Sequence, residues 1–261
     1  MTLRFETPRD VLDTSECAFY HYMNLPGIGQ VGDHWDLRRT IEEYFGGFDF
    51  KRKRALDVGA ASGYLTFEME KRGASVVSFD IADGGDWDCV PFAHPEFDPE
   101  KLVRDLKWHI NRIKNAYWFA HRVLGSRAEV YYGDIYNFPP ELGSFDVVVF
   151  GMVLPHLRDP FRALQSASRL SSEWVVITQQ CLKRSEPVCL FQPDPETRAD
   201  ALTWWLMSEG CVDQMLRVLG FQVVSLTRAM HDCPIRKHAE ECTTFIARRV
   251  PSTPERVLGT L

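Results

Sequence analysis

The stretch from Ala55 to Asp80 constrains this chain more than any other. Ala55-Leu56-Asp57-Val58 is short and apolar apart from Asp57, as a buried parallel strand is. Gly59 and Gly63 bracket a turn in which backbone passes close to a ligand. Leu65 and Met69 fall on one face of the following helix, and Gly73 sits where a helix C-terminal glycine belongs. Ser75-Val76-Val77-Ser78-Phe79-Asp80 reads as a second strand. Its terminal acid lies about 20 residues beyond Gly59, where a carboxylate accepts hydrogen bonds from ribose hydroxyls. The unit predicts an α/β sheet that binds a nucleoside. The dinucleotide fingerprint is G-x-G-x-x-G/A, whereas here Gly59 is followed by Ala61 and then Gly63.

The rest of the sheet follows in order. Ala128 to Asp134 reads as a third strand, with Ile135 next. Ser144 to Gly151 is a nearly continuous apolar run fit for a sheet centre. The loop after it carries His156, and Asp159-Pro160 is a helix start. Ligands of open α/β sheets gather at the carboxyl ends of strands, so His156 is placed where an acceptor would sit. Glu173 to Thr178 is a fifth strand, and Ser208 caps a helix that Gly220 stops. Phe221 to Leu226 and Thr243 to Ala247 read as two closing strands. The polar connection through His231, Pro234 and Arg236 is expected to reach over the site. The connection at 81–127 is longer than one crossover helix needs. Helical spacing returns from Pro99 to Leu124, with room for two helices.

Residues 1–50 precede the first sheet strand and are rich in aromatics, which argues against a disordered tail. They are expected to form a cap or lid, with 51–261 as the binding domain. His21, Tyr22, His34, Trp35 and Arg38 are its candidate acceptor contacts, joined by Trp205 from the other end of the chain.

With 261 residues, 45% hydrophobic and 25% charged, the chain reads as soluble and globular. A net charge of -6 offers no global attraction to nucleic acid or anionic membrane. The run Lys51-Arg52-Lys53-Arg54 reads as a solvated loop. Seven scattered cysteines without a C-x-x-C imply reduced thiols, no structural zinc and a cytoplasmic home. The first residues hold no apolar leader segment, and no run is long enough to span a membrane.

Asp57-Val58-Gly59-x-x-x-Gly63 resembles motif I of the class I S-adenosylmethionine (SAM) methyltransferases. That resemblance implies a Rossmann-like, doubly wound, mostly parallel seven-stranded sheet with an antiparallel last strand. It implies SAM as cofactor and S-adenosylhomocysteine (SAH) as product. Carried onto this sequence, Gly59, Ala61 and Gly63 pass under the methionine part. Asp80 at the strand end holds the ribose, and Asp57 and Ile81 are counted with it among the cofactor-binding residues. Asp134 meets the adenine amino group, and Ile135 lies on the ring. Within class I, Tyr20-His21, Trp35 to Arg38 and Val153 to Pro160 are similar to the branch near the tRNA wobble-uridine carboxymethyltransferases. That branch includes natural-product and polysaccharide methyltransferases. Two departures separate the chain from the carboxymethyl activity. Pro155 stands where that group has tyrosine, and its upstream lysine-containing segment has no counterpart here.

The expected activity is therefore O-methylation of a small-molecule or sugar acceptor, with His156 as general base. An RNA-modifying enzyme and a non-catalytic partner subunit are the alternatives. No metal is expected, although Asp83, Asp86 and Asp88 lie together in one loop. The oligomeric state does not follow from the sequence.

Overall fold

A computed structural model describes residues 4–251. Residues 1–3 and 252–261, at the outer ends of the expected cap and binding domain, lie outside the described residues. A seven-stranded sheet organises the chain. Its strands are β3 (Arg54–Val58), β4 (Ser75–Ile81), β5 (Glu129–Gly133), β6 (Phe145–Gly151), β7 (Ser171–Gln179), β10 (Phe221–Cys233) and β11 (His238–Arg249). The spatial order is β10-β11-β7-β6-β3-β4-β5. Only β11 runs against the others. This is the Rossmann-like, doubly wound sheet with one antiparallel strand that the motif resemblance implies. Two small antiparallel pairs lie outside the sheet. They are β1 (Met23–Leu25) with β2 (Gly29–Val31), and β8 (Cys189–Phe191) with β9 (Trp205–Met207).

Alternation along each strand builds two cores. Val147, Val149 and Val176 face one core with α1 (Ile41–Tyr44), α2 (Tyr64–Lys71) and α3 (Pro99–Leu124). Val148, Phe150, Val175 and Ile177 face the other, with α4 (Pro160–Ser168) and α5 (Glu209–Val218). Both faces are covered, which is why the sequence of β6 is apolar apart from Asp146 near its start. The N-terminal segment shares the first core: Val11, Phe19, Met23, Leu25 and Leu37 pack with Phe67, Tyr117 and Phe119. No helix among the described residues is long and apolar enough to cross a membrane.

The helix ends follow local chemistry. Asp159 accepts from Arg162 N with Pro160 in the first turn of α4, and Ser208 accepts from Cys211 N to start α5. Two expectations are corrected. The 81–127 connection holds a single long helix, α3, after an irregular stretch with one short turn at Gly84–Asp86. Its apolar stripe is continuous, so nothing breaks it in two. The closing strands are far longer than their apolar halves suggested. His231 belongs to β10 and is buried beside Thr40, with Nδ1 2.8 Å from its hydroxyl. The turn Pro234–Arg236 forms the tip of this hairpin.

Candidate active site

The glycine loop joins β3 to α2 at the carboxyl edge of the sheet, where the strand order reverses between β3 and β6. Gly59, Ala61 and Gly63 all have positive φ, at 81°, 48° and 90°. A Cβ on Gly59 would lie 2.3 Å from a methyl of Val153. A Cβ on Gly63 would lie 2.6 Å from the Phe67 ring. Gly63 therefore serves the packing of α2, while Gly59 and Ala61 line the cleft above the loop. The loop is tied to the N-terminal segment, because the buried Ser62 hydroxyl accepts from Tyr20 N at 3.1 Å.

That cleft has a volume of about 870 Å³. One side is built from Gly59, Ala61, Asp80, Ile81, Gly133, Asp134, Ile135 and Val153. The Asp80 carboxylate is fixed by backbone N–H groups, Ala61 N to Oδ2 and Ile81 N to Oδ1, both at 2.7 Å. Burial pushes its carboxyl above the usual range, opposed by those N–H bonds and by Lys114. Asp134 is exposed and accepts from Tyr136 N on Oδ1 at 2.9 Å, which leaves acceptor capacity on Oδ2. These residues suit an adenosyl group: a carboxylate for vicinal hydroxyls, a second for an exocyclic amine, and buried Ile135 for the ring.

The other side is aromatic. Tyr20, His21, His34, Trp35, Tyr44, Trp87 and His109 line it, with His156 and Arg236. The β1–β2 hairpin brings residues 20–22 beside 34–35, with Tyr22 N donating to Trp35 O at 2.8 Å. His34 stacks on Tyr20 at 4.7 Å between centroids, and its Nδ1 meets Asp33. His21 is 8% exposed, its Nδ1 has no protein partner, and burial drives its pKa down to about 3. It is a neutral ring at any ordinary pH.

His156 stands at the end of the turn Leu154–His156 after β6. Its Nδ1 lies 3.0 Å from Leu202 O. A carbonyl only accepts, so Nδ1 carries the hydrogen and Nε2 is the basic nitrogen. Burial lowers its pKa, opposed by the Leu202 contact and by Asp200, while Arg236 adds to the lowering. Leu202 is itself held, since its N–H and that of Thr203 donate to Asp200 Oδ1.

The structure thus brings together His156, Gly59, Ala61, Asp80, Ile81, Asp134, Ile135, His21, His34 and Trp35. It sets five candidates apart. Asp57 is 0% exposed beneath the loop and accepts from Thr66 Oγ1 at 2.6 Å. Gly63 packs on Phe67. Arg38 is held by Asp36, Asn24 and Gln30, and stacks on Tyr22 at 5.4 Å. That pair lies outside the main cleft. Trp205 donates to Arg158 O at 3.1 Å and packs on Phe191. The basic run 51–54 lies at the amino end of β3, away from the cleft, and Arg54 there holds Ser144 O and Leu142 O.

Sequence reasoning missed Tyr20, Tyr44, His109 and Asp200 on the cleft wall, while Arg236, in the connection expected to reach over the site, also lines it. One signal was available: Leu106, His109, Ile110 and Ile113 share a single stripe of α3, so a histidine sat on an apolar face. The acidic loop is partly on the wall. Asp86 and Asp88 line the cleft, and Asp88 accepts from Arg158 N at 2.8 Å and from Tyr136. Among the described residues no cluster suited to a metal ion occurs.

No curated protein matches this chain in sequence. Several solved structures share its fold. A SAM-dependent methyltransferase from Methanosarcina mazei aligns with a TM-score of 0.54 at 16% identity, covering 82% of this chain and 99% of that one. Magnesium protoporphyrin IX methyltransferase from Synechocystis PCC 6803, with bound SAH, gives 0.51 at 15% identity over 82% of both chains. The 1,6-didemethyltoxoflavin-N1-methyltransferase of Burkholderia thailandensis gives 0.51 at 15%, over 81% of this chain and 77% of that one. The sequence itself matches the methyltransferase-domain family over residues 34–230, and the chain belongs to that family.

Proposed function

We propose that this enzyme transfers a methyl group from SAM to an oxygen of a small, ring-bearing acceptor, a phenol or a sugar. SAM is the cofactor, and it supplies a sulfonium methyl group. Gly59 and Ala61, on the cleft wall, would offer it backbone, and Asp80, Asp134 and Ile135 would hold its nucleoside. The remaining work belongs to the aromatic side of the cleft. It holds the acceptor in line, shuts out water and takes a proton. Orientation of this kind is worth about 7–11 kcal/mol.

The observation that carries the reading is the His156–Leu202 contact. It fixes one tautomer and leaves Nε2 as a base on the cleft wall, which a hydroxyl needs and a carboxylate acceptor does not. His21, neutral and unpartnered, is a weaker base and suits an apolar contact with the acceptor ring. The size and aromatic lining of the cleft fit the same class. By their names, the Synechocystis and Burkholderia proteins act on a porphyrin and on 1,6-didemethyltoxoflavin, both ring-bearing small molecules. The remote basic run and the net charge of -6 count against an RNA acceptor. The branch near the wobble-uridine enzymes stays part of the proposal as ancestry. So does a cytoplasmic home, the compartment that keeps an exposed thiol such as Cys189 reduced. Residues 20–35 act as the cap over the acceptor.

The test is a screen with isotope-labelled SAM against phenols, sugars, amines and carboxylic acids, beside calorimetry with SAH. Methyl transfer to hydroxyl acceptors that fails in His156→Gln is expected. SAH binding with transfer confined to amines or carboxylates would refute the hydroxyl reading alone, and absence of SAH binding would refute the whole.

A further inference from the structure

The cleft wall behind Asp80 contains a lysine that neither the cofactor nor the acceptor would touch. Lys114 is only 6% exposed, on α3. An ammonium is rarely so buried without a purpose, because desolvation is costly. Its Nζ donates to Ala82 O at 2.6 Å and lies 3.7 Å from the centroid of the Tyr132 ring. Ala82 follows β4 two residues beyond Asp80 and lines the cleft. Tyr132 is the β5 residue paired in register with Asp80. Lys114 therefore grips the end of β4 from behind, from both sides of the ribose acid.

We propose that Lys114 is a positioning residue for the cofactor site, fixing the end of β4 and supplying the charge that keeps the Asp80 carboxylate ionised for the ribose hydroxyls. The inference rests on the SAM reading. Asp80 already accepts two backbone N–H bonds, one on each oxygen, and an ionised carboxylate keeps a strong acceptor lone pair on each oxygen for two more donors, where a protonated one would turn one oxygen into a donor. The groups facing it are few. Asp57 on β3 is a second acid in the same field, Tyr132 comes from β5, and Lys114 is the cation. Asp57 opposes ionisation of Asp80 and Lys114 favours it. Glu6, Arg9 and Asp83 in turn act on Lys114. Buried attraction of this type is little screened by salt.

The experiment is SAH calorimetry from pH 5 to pH 9, in buffers of differing ionisation enthalpy so that protons released on binding are counted. Wild type is expected to bind SAH near neutrality without releasing a proton. Lys114→Met is expected to bind at least tenfold more weakly at pH 6, to release a proton on binding, and to recover towards wild type at pH 9. Lys114→Arg, which keeps the cation, should show no new proton release. A uniform loss in Lys114→Met at every pH would mean a structural role only and would overturn the proposal. If that variant does not fold, the wild-type count decides, because release of a proton on SAH binding at pH 7 would overturn it. Wild type that binds no SAH would instead sink the cofactor reading.

Discussion

Replacing Asp57 by asparagine changes how stability depends on pH. The carboxyl is 0% exposed, with Oδ2 accepting from Thr66 and Oδ1 unpartnered. Burial is the main cause that pushes its pKa from 3.8 to about 7, with the Thr66 hydrogen bond opposing and the charge of Asp80 assisting. The folded chain therefore holds a proton that the unfolded chain releases. This contribution is complete below about pH 4 and is lost as the pH rises to about 7. Taking a pKa of 3.8 unfolded and about 7 folded, the loss between pH 5 and pH 8 is roughly 2.6 kcal/mol. Asparagine cannot ionise and keeps an acceptor for Thr66. Its amide would sit where Oδ1 is unpartnered, a pH-independent cost of about 1–3 kcal/mol. Urea denaturation of both proteins at pH 5, 6, 7 and 8 gives the difference curve. Other groups cancel in it. His21 is one, held neutral down to about pH 3, and its own contribution runs the opposite way, growing as pH rises towards 6.5. The difference should move in favour of Asp57→Asn by about 2–3 kcal/mol from pH 5 to pH 8. A flat difference would show that the carboxyl ionises in the folded protein as it does in water, and the burial argument would fail.

Asp80→Ala removes the ribose acceptor and should weaken SAH binding by roughly tenfold to a hundredfold, with the far-UV dichroism unchanged. Calorimetry reads this directly, and equal affinity would place the ribose elsewhere. Gly59→Ala puts a methyl 2.3 Å from Val153 at a φ of 81° and should cost about 1–3 kcal/mol, as overpacked sites do. Adding Val153→Ala should recover part of the melting temperature, and no recovery would assign the loss to backbone strain. His156→Gln should lower kcat by about 10²–10⁴ while SAH affinity holds. A near-normal rate in a stable variant would leave positioning as the source of catalysis.

Elements whose cause is local could be read directly. Asp159-Pro160 and Ser208 start α4 and α5 because their side chains satisfy free N–H groups at the helix ends, which needs nothing beyond the next few residues. The apolar runs of β6 and β7 announced a sheet covered on both faces. Sequence pattern marks only half of the β10–β11 hairpin because the outer half is polar, with Arg228, His231, Asp232, Glu240 and Glu241, and carries no apolar run even though His231, Cys233 and Cys242 are buried. The site divides the same way. Gly59, Asp80 and Asp134 occupy strand ends, and a strand end of an α/β sheet faces the ligand whatever the rest of the chain does. Asp57 lies inside its strand, and the alternation of faces sends it under α2 to Thr66. Arg38 and Trp205 found partners nearer than the cleft, in Asp36 and in Arg158 O. Arg236, Asp200 and His109 reach the cleft from a hairpin tip, a loop and a helix stripe far apart in sequence. Motif and period determine which edge of the sheet binds. Long-range packing alone decides which side chains from distant segments close over it, because their direction depends on contacts that no local pattern encodes.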